Sequence, residues 1–278
     1  MKVNLVASLL ICSGLSLVAV KSACAQKPKV LSDSAAASSI SSTALTPQDA
    51  ISDEPSVVIE PGPIQLKVTQ ASKKYDFEVQ MNDGCEKQFE DSDICEGPAS
   101  IRIYPKGTQS EKQRIILENL SVIRVGKAEV LVNTAELYDY QGSLMVDDFN
   151  FDGQEDLAVQ VGQNGPYGGP TFQVYLYHSR KGKFLLSEKL SAMTEENMGL
   201  FHIDPASKRI GTFAKSGCCY HVSQEYEFVG TEPVVVAKFT EDATGSDGFA
   251  TETTERLVKG RWVRHVQRVR IPDSGEDW

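Results

Sequence analysis

"YDFEVQM", residues 75–81, decides the fold class. Tyr75, Phe77, Val79 and Met81 alternate with Asp76, Glu78 and Gln80, which is the period of a strand with one buried and one wet face. The pattern, alternating or rich in β-branched residues, recurs outward in both directions. It returns in "IQLKVTQ" at 64–70, "SIRIY" at 100–104, "QRIIL" at 113–117, "AEVLV" at 128–132 and "LMVDDF" at 144–149. Further on come "DLAVQVG" at 156–162, "TFQVYLY" at 171–177, "KFLLSEKL" at 183–190, "YHVSQEYEFV" at 220–229, "PVVVAKF" at 233–239, "TERLVKG" at 254–260 and "RWVRHVQRVRI" at 261–271. Only "LSAMTEENM", 190–198, reads as a short helix. Strands that follow one another without helices leave no room for parallel βαβ units, so the chain is expected to be all-β with antiparallel sheets, as a sandwich, barrel or propeller-like assembly. Two glycine turns, "RKGKF" at 180–184 and "VKGRW" at 258–262, predict hairpins.

The first 25 residues read as a secretory signal peptide. Lys2 precedes an apolar run from Leu5 to Val20, and Ala23-Cys24-Ala25 supplies the small residues of a cleavage site before Gln26. Residues 26–55 are rich in Ser and Ala and nearly free of aromatics, a composition that buries too little apolar surface to offset its ordering entropy; a disordered tether is expected there. The β domain then spans 56–278, with a possible division into 56–135 and 136–278. No other stretch is long and apolar enough to cross a membrane, so no membrane insertion is expected and the periplasm is the expected compartment.

With Lys2 and Lys21 in the leader, 26 basic residues face 38 acidic ones, a net charge of −12. Nucleic acid is a poor partner for such a chain, because its affinity rests on clustered Lys and Arg neutralising phosphates. A basic protein partner would be steered toward it.

Four cysteines follow the leader: Cys85, Cys95, Cys218 and Cys219. In an oxidising compartment an even number points to disulfides, and four allow three pairings. Cys85 and Cys95 bracket a short polar loop and form the natural local pair. That leaves a vicinal Cys218–Cys219 bridge; the alternative is two cross-links between the 85–95 loop and the 218–219 turn. Zinc competes at "CCYH", where His221 joins two thiols, but the paired C-x-x-C spacing of structural zinc sites is missing.

"DDFNFDGQED", 147–156, concentrates five carboxylates between two strands. Asp148, Asn150 and Asp152 stand at positions 1, 3 and 5 of a loop, Gly153 permits a sharp turn at position 6, the main-chain carbonyl of Gln154 follows at 7, and Asp156 falls at 9. This spacing suits calcium, which takes several oxygen ligands in a flexible shell. An EF-hand would need a bidentate Glu at position 12, where this chain has Val159. The nine-residue form instead resembles the calcium loops of FG-GAP and integrin-type propeller repeats. Phe149 and Phe151, alternating with the ligands, are expected to pack inward, while Asp147 and Glu155 add field.

Downstream, "GPYGGP" at 165–170 lifts Tyr167 on a loop of glycines and prolines, either as a recognition anchor or folded back on the sheet. "KSGCCYH" at 215–221 makes a second stiff turn.

Taken together, "VDDFNFDGQEDLAVQVG", "NGPYGGPTFQVYLY" and "KSGCCYH" resemble a group of exported bacterial proteins. The group includes immunity proteins that guard against lysozyme-like peptidoglycan hydrolases delivered by bacteria-killing type IV secretion systems. Its members are similar in fold to periplasmic inhibitors of invertebrate-type lysozymes, whose inhibitory loop carries S-G-x-x-Y. The resemblance covers roughly 140–230. It implies a lysozyme-inhibitor-like β fold, a hydrolase as protein partner, and an inhibitor surface made of Tyr167 and Gly168 beside Ser216, Gly217 and Tyr220. A rival expectation is an FG-GAP-like envelope module that binds glycan or a surface protein. Catalysis is not expected: the chain lacks a G-x-S-x-G elbow and an H-E-x-x-H helix, and its four histidines are scattered.

Overall fold

The computed structural model describes residues 64–81, 85–89, 92–125, 129–134 and 142–271. The expected signal peptide, the tether and the first residues of the β domain lie outside this range.

Three antiparallel sheets follow one another along the chain. The first contains β1 (Ile64–Val68), β2 (Tyr75–Met81), β3 (Cys85–Phe89), β4 (Ser92–Pro105), β5 (Gln113–Val125) and β6 (Glu129–Val130), in the order β1-β2-β4-β5-β6 with β3 also on β4. β2 shows the alternation of its sequence directly: Tyr75, Phe77, Val79 and Met81 are buried and the residues between them are half-buried. Cys85 and Cys95 sit opposite each other in the β3–β4 register and are disulfide-bonded.

The second sheet is the middle layer. β7 (Leu144–Asp147), β8 (Asp156–Gly162), β9 (Thr171–His178) and β10 (Lys183–Leu186) pair in the order β10-β9-β8-β7. Leu144, Leu157, Val159, Tyr175 and Phe184 pack into a core shared with the first sheet. Met145, Ala158, Phe172, Val174 and Leu176 face the other way, into a second core. A strand covered on both faces has no wet side to encode. That is why "DLAVQVG" reads as a nearly continuous apolar run. The first core also crosses residue 135, so the two expected sub-parts share it.

The second core is closed by α1 (Glu188–Glu196), through Leu190 and Met193, and by the third sheet, through Ile210 and Tyr226. "KFLLSEKL" is not one strand, as its sequence suggests. β10 ends at Leu186, and the Ser187 side chain accepts the Leu190 N–H, which starts the helix with a serine cap. The third sheet is a plain meander of β11 (His202–Asp204), β12 (Arg209–Ser216), β13 (Tyr220–Val229), β14 (Glu232–Asp242), β15 (Phe249–Val258) and β16 (Arg261–Arg270). Both predicted hairpins form. In the second, Lys259 and Gly260 make a two-residue turn with φ of 48° and 75°, the two positive values a tight hairpin of this length needs.

Candidate functional site

Three loops carry the residues singled out in the sequence, and the folded chain treats them differently. In the acidic loop, between β7 and β8, the side chains turn back on their own main chain. The Asp152 N–H donates to Asp148 Oδ1 at 2.9 Å and to Asn150 Oδ1 at 3.1 Å, the Gly153 N–H to Asp148 Oδ2 at 2.8 Å, and the Gln154 N–H to Asp152 Oδ1 at 2.8 Å. Gly153 takes φ of +85°, the left-handed turn that lets the chain reverse. Phe149 is fully buried edge-on to Phe201 at 5.5 Å, and Phe151 meets Phe228 at 6.1 Å. The two phenylalanines pin the loop to the second core.

Asp156 is the first residue of β8, opposite Asp147, and has no exposed surface. Its Oδ2 accepts the Phe149 N–H at 2.9 Å and its Oδ1 accepts the Tyr177 N–H at 2.7 Å. Burial pushes this carboxyl up to about 7; the two amide bonds pull against the shift, and the charges of Asp152 and Asp148 add to it. Two further residues anchor the loop to the turn between β1 and β2. Glu155 accepts from Ser72 Oγ at 2.5 Å and from the N–H groups of Lys73 and Lys74, each at 3.3 Å. The Lys74 ammonium in turn donates to the Gly153 carbonyl and to Gln154 Oε1, both at 3.3 Å.

Among the described residues, no three His, Cys, Asp or Glu side chains are gathered to hold a metal by themselves. An ion in this loop would need the Asn150 amide and main-chain oxygen as well. Asp148, Asn150 and Asp152 offer oxygen alone, the donor type of a hard divalent cation and unlike the N/S sets preferred by zinc.

The other two loops point outward and meet. The Gly165–Gly169 loop is cross-braced by N–H donations from Gly165 to the Gly169 carbonyl, from Gly168 to the Gly165 carbonyl and from Gly169 to the Pro166 carbonyl, at 3.0, 3.1 and 3.0 Å. A Cβ on Gly165 would lie 3.0 Å from the Gly169 oxygen, so the neck of the loop accepts only glycine without rearranging. At its tip Tyr167 is held at φ 58°, left-handed backbone that costs an L residue about 1–2 kcal/mol. The residue is 62% exposed. The tyrosine neither folds onto the sheet nor swings free: its Oη accepts the Gly217 N–H at 2.5 Å, and the Lys215 ammonium lies 4.8 Å from the ring centroid.

Gly217 belongs to the hairpin between β12 and β13, where Ser216 and Tyr220 face each other in register. The turn carries Gly217 at φ +67° and a Cys218–Cys219 disulfide, and the Ala243 N–H donates to the Cys219 carbonyl at 2.7 Å. Both thiols are thereby consumed, and His221 turns to Glu241 through Nδ1 at 2.9 Å and stacks on Phe213. That leaves no zinc site at "CCYH". Ser216, Gly217, Tyr167 and Gly168 are exposed while Tyr220 is half-buried. Tyr167, Gly168, Ser216 and Gly217 thus lie on one outward surface. The acidic loop is not part of that contact; it joins it through β8 and the chain leading to Gly165.

Sequence reasoning missed Lys215, Ser72, Lys74 and the anchoring role of Glu155. Lys215 stood one position before the S-G-x-x-Y stretch, where a cation beside an exposed aromatic was a usable signal. The Ser72–Glu155 pair is 83 residues apart, and no local pattern announces it.

No family model matches the chain, and no curated protein matches it. Among solved structures, its fold is similar to that of a Xanthomonas type IV secretion system related protein, with a TM-score of 0.56 and 22% identity over 73% of this chain and 92% of the other. At that identity the likeness concerns the arrangement of strands: the antiparallel all-β architecture derived from the alternation of residues 75–81 is one that a second protein shares.

Proposed function

We propose that this chain is an exported, calcium-binding inhibitor of a lysozyme-like peptidoglycan hydrolase, an immunity protein that blocks the enzyme's substrate cleft in the periplasm. The observation that carries the reading is the bond from the Gly217 N–H to Tyr167 Oη, which joins two separate loops into one exposed surface. A surface already held in its binding shape loses little entropy on docking. Tyr167 offers a large ring at its centre, Ser216 a hydroxyl, and Gly168 and Gly217 allow close approach of a partner's backbone. The fold's likeness to a type IV secretion system related protein agrees with this reading, as does the acidity of the chain, which would speed encounter with a basic hydrolase.

Calcium, when bound, would offset the carboxylates of the 147–156 loop. Asp148, Asn150 and Asp152 would hold it, with the Gln154 carbonyl and Asp156. The chain's own residues then keep β8 still, and β8 leads directly to the Tyr167 loop. The role is structural and involves no turnover by the chain itself.

The test is inhibition of a panel of lysozyme-like hydrolases by the purified protein, with calcium and with chelator. At least one should be inhibited in the calcium arm. If none is inhibited in either arm and the protein instead retains polysaccharide on a column, the reading fails in favour of an envelope-binding module.

A further inference from the structure

The third sheet ends at β16, and among the described residues no strand pairs with its outer edge. All ten of its residues are exposed. Soluble proteins guard such an edge with charge, proline, a bulge or a covering segment. β16 contains no proline, and its register with β15 runs without a shift. It carries arginines, but between them stand Trp262, Val263 and Val266, which are 51%, 55% and 48% exposed. Residues 247–271 hold six Lys and Arg against three carboxylates, in a chain whose net charge is −10. The local sign is opposite to that of the molecule.

Alternation along the strand sorts these groups. Arg264, Arg268 and Arg270 share one face, together with Val266, while Val263 and Val269 lie on the other. Arg268 bonds Asp247 at 2.5 Å and Arg264 lies in register with Glu255, so the carboxylates of this hairpin offset only part of the charge.

We propose that the outer edge of β16 is a strand-addition site for an acidic, extended polypeptide segment of a partner protein. The segment that fits has carboxylates at every second position, on the face of Arg264 and Arg268. Its intervening apolar residues lie on the face of Val263 and Val269. Main-chain hydrogen bonds along the edge supply affinity and the alternating side chains supply selection. A second copy of this chain would bring arginine against arginine, which is unfavourable across a strand pair. A lipid surface would require one apolar side, and β16 carries arginines on both of its exposed faces.

The experiment uses the purified protein and three labelled peptides of about ten residues: alternating Glu-Val, the same composition as a Glu block followed by a Val block, and alternating Lys-Val. Fluorescence anisotropy should show the alternating acidic peptide binding at least about tenfold tighter than the block peptide, equivalent to about 1.4 kcal/mol. The Lys-Val peptide should not bind. Arg264→Glu, with unchanged circular dichroism, should remove the preference, and amide exchange should show β16 protected by the acidic peptide. Equal binding of alternating and block peptides would reduce the effect to net charge and overturn the proposal. So would binding by none of them, or a dimer in sedimentation equilibrium with β16 protected in the absence of peptide. None of these readouts involves hydrolase inhibition, so this proposal and the inhibitor reading stand or fall separately.

Discussion

The acidic loop at 147–156 and the paired loops around Tyr167 and Gly217 are opposites in construction. The first holds most of the charge visible in the sequence, yet Asp148 and Asp152 accept from the loop's own amides, Glu155 and Asp156 reach Ser72 and the Tyr177 amide, Phe149 is buried in the core and Phe151 packs half-buried against it. The second holds little more than glycines, two bonded cysteines and a tyrosine, and it faces solvent. In the acidic loop the charge is bonded back into the protein; at the paired loops a single aromatic ring is held out.

The comparison breaks first at Phe149. Phe149→Ala empties a fully buried site beside Phe201 and should lower stability by about 3–5 kcal/mol, read as the denaturation midpoint. A loss within about 0.5 kcal/mol would mean that the loop is no brace. The next test is calcium itself. At a free concentration about a hundredfold above its Kd, it should stabilise the chain by about 2.7 kcal/mol, visible as a rise in melting temperature that chelator reverses. Magnesium should do less, because it demands a more regular shell and gives up water reluctantly.

Asp156 sharpens the same point. Asp156→Asn turns an amide donor toward one of the two N–H groups it now satisfies, at a cost of about 1–3 kcal/mol. Its titration supplies a pH test. Because burial raises its folded pKa to about 7, above the ordinary carboxylate value, the ion-free folded chain binds a proton that the unfolded chain has released. The stability from this group is fully present below about pH 4 and is lost as pH rises toward 7. Melting curves in chelator should show that decline, and saturating calcium should flatten it. The smallest expected change in stability is at the outward surface. Tyr167→Phe removes one hydrogen bond at an exposed position and should shift stability by no more than about 1 kcal/mol, while weakening any partner that reads the joined loops.

Much of this was legible in the residues. The period of "YDFEVQM" and the unbroken apolar run of "DLAVQVG" report one-sided and two-sided burial directly. The glycine at 153 marks the reversal it makes. The rest is set by long-range contacts or by competition between local preferences. Ser187 lies inside an apolar run that looks like strand, and only its side chain's bond to the Leu190 N–H shows that a helix begins there. Glu155 looks like one more acid in a crowded loop until the fold brings Ser72 and the Lys73 and Lys74 amides to it. The junction of Tyr167 with Gly217 spans 50 residues, and neither loop's composition specifies the other.

The proposed inhibitor surface is tested most directly by Tyr167→Ala, measured as the inhibition constant against a hydrolase that the unaltered protein inhibits, alongside the melting temperature with calcium present. Inhibition should weaken by at least about a hundredfold, some 2.7 kcal/mol of binding, while the melting temperature stays within about two degrees. Full inhibition by a Tyr167→Ala protein with an unchanged melting temperature would contradict it.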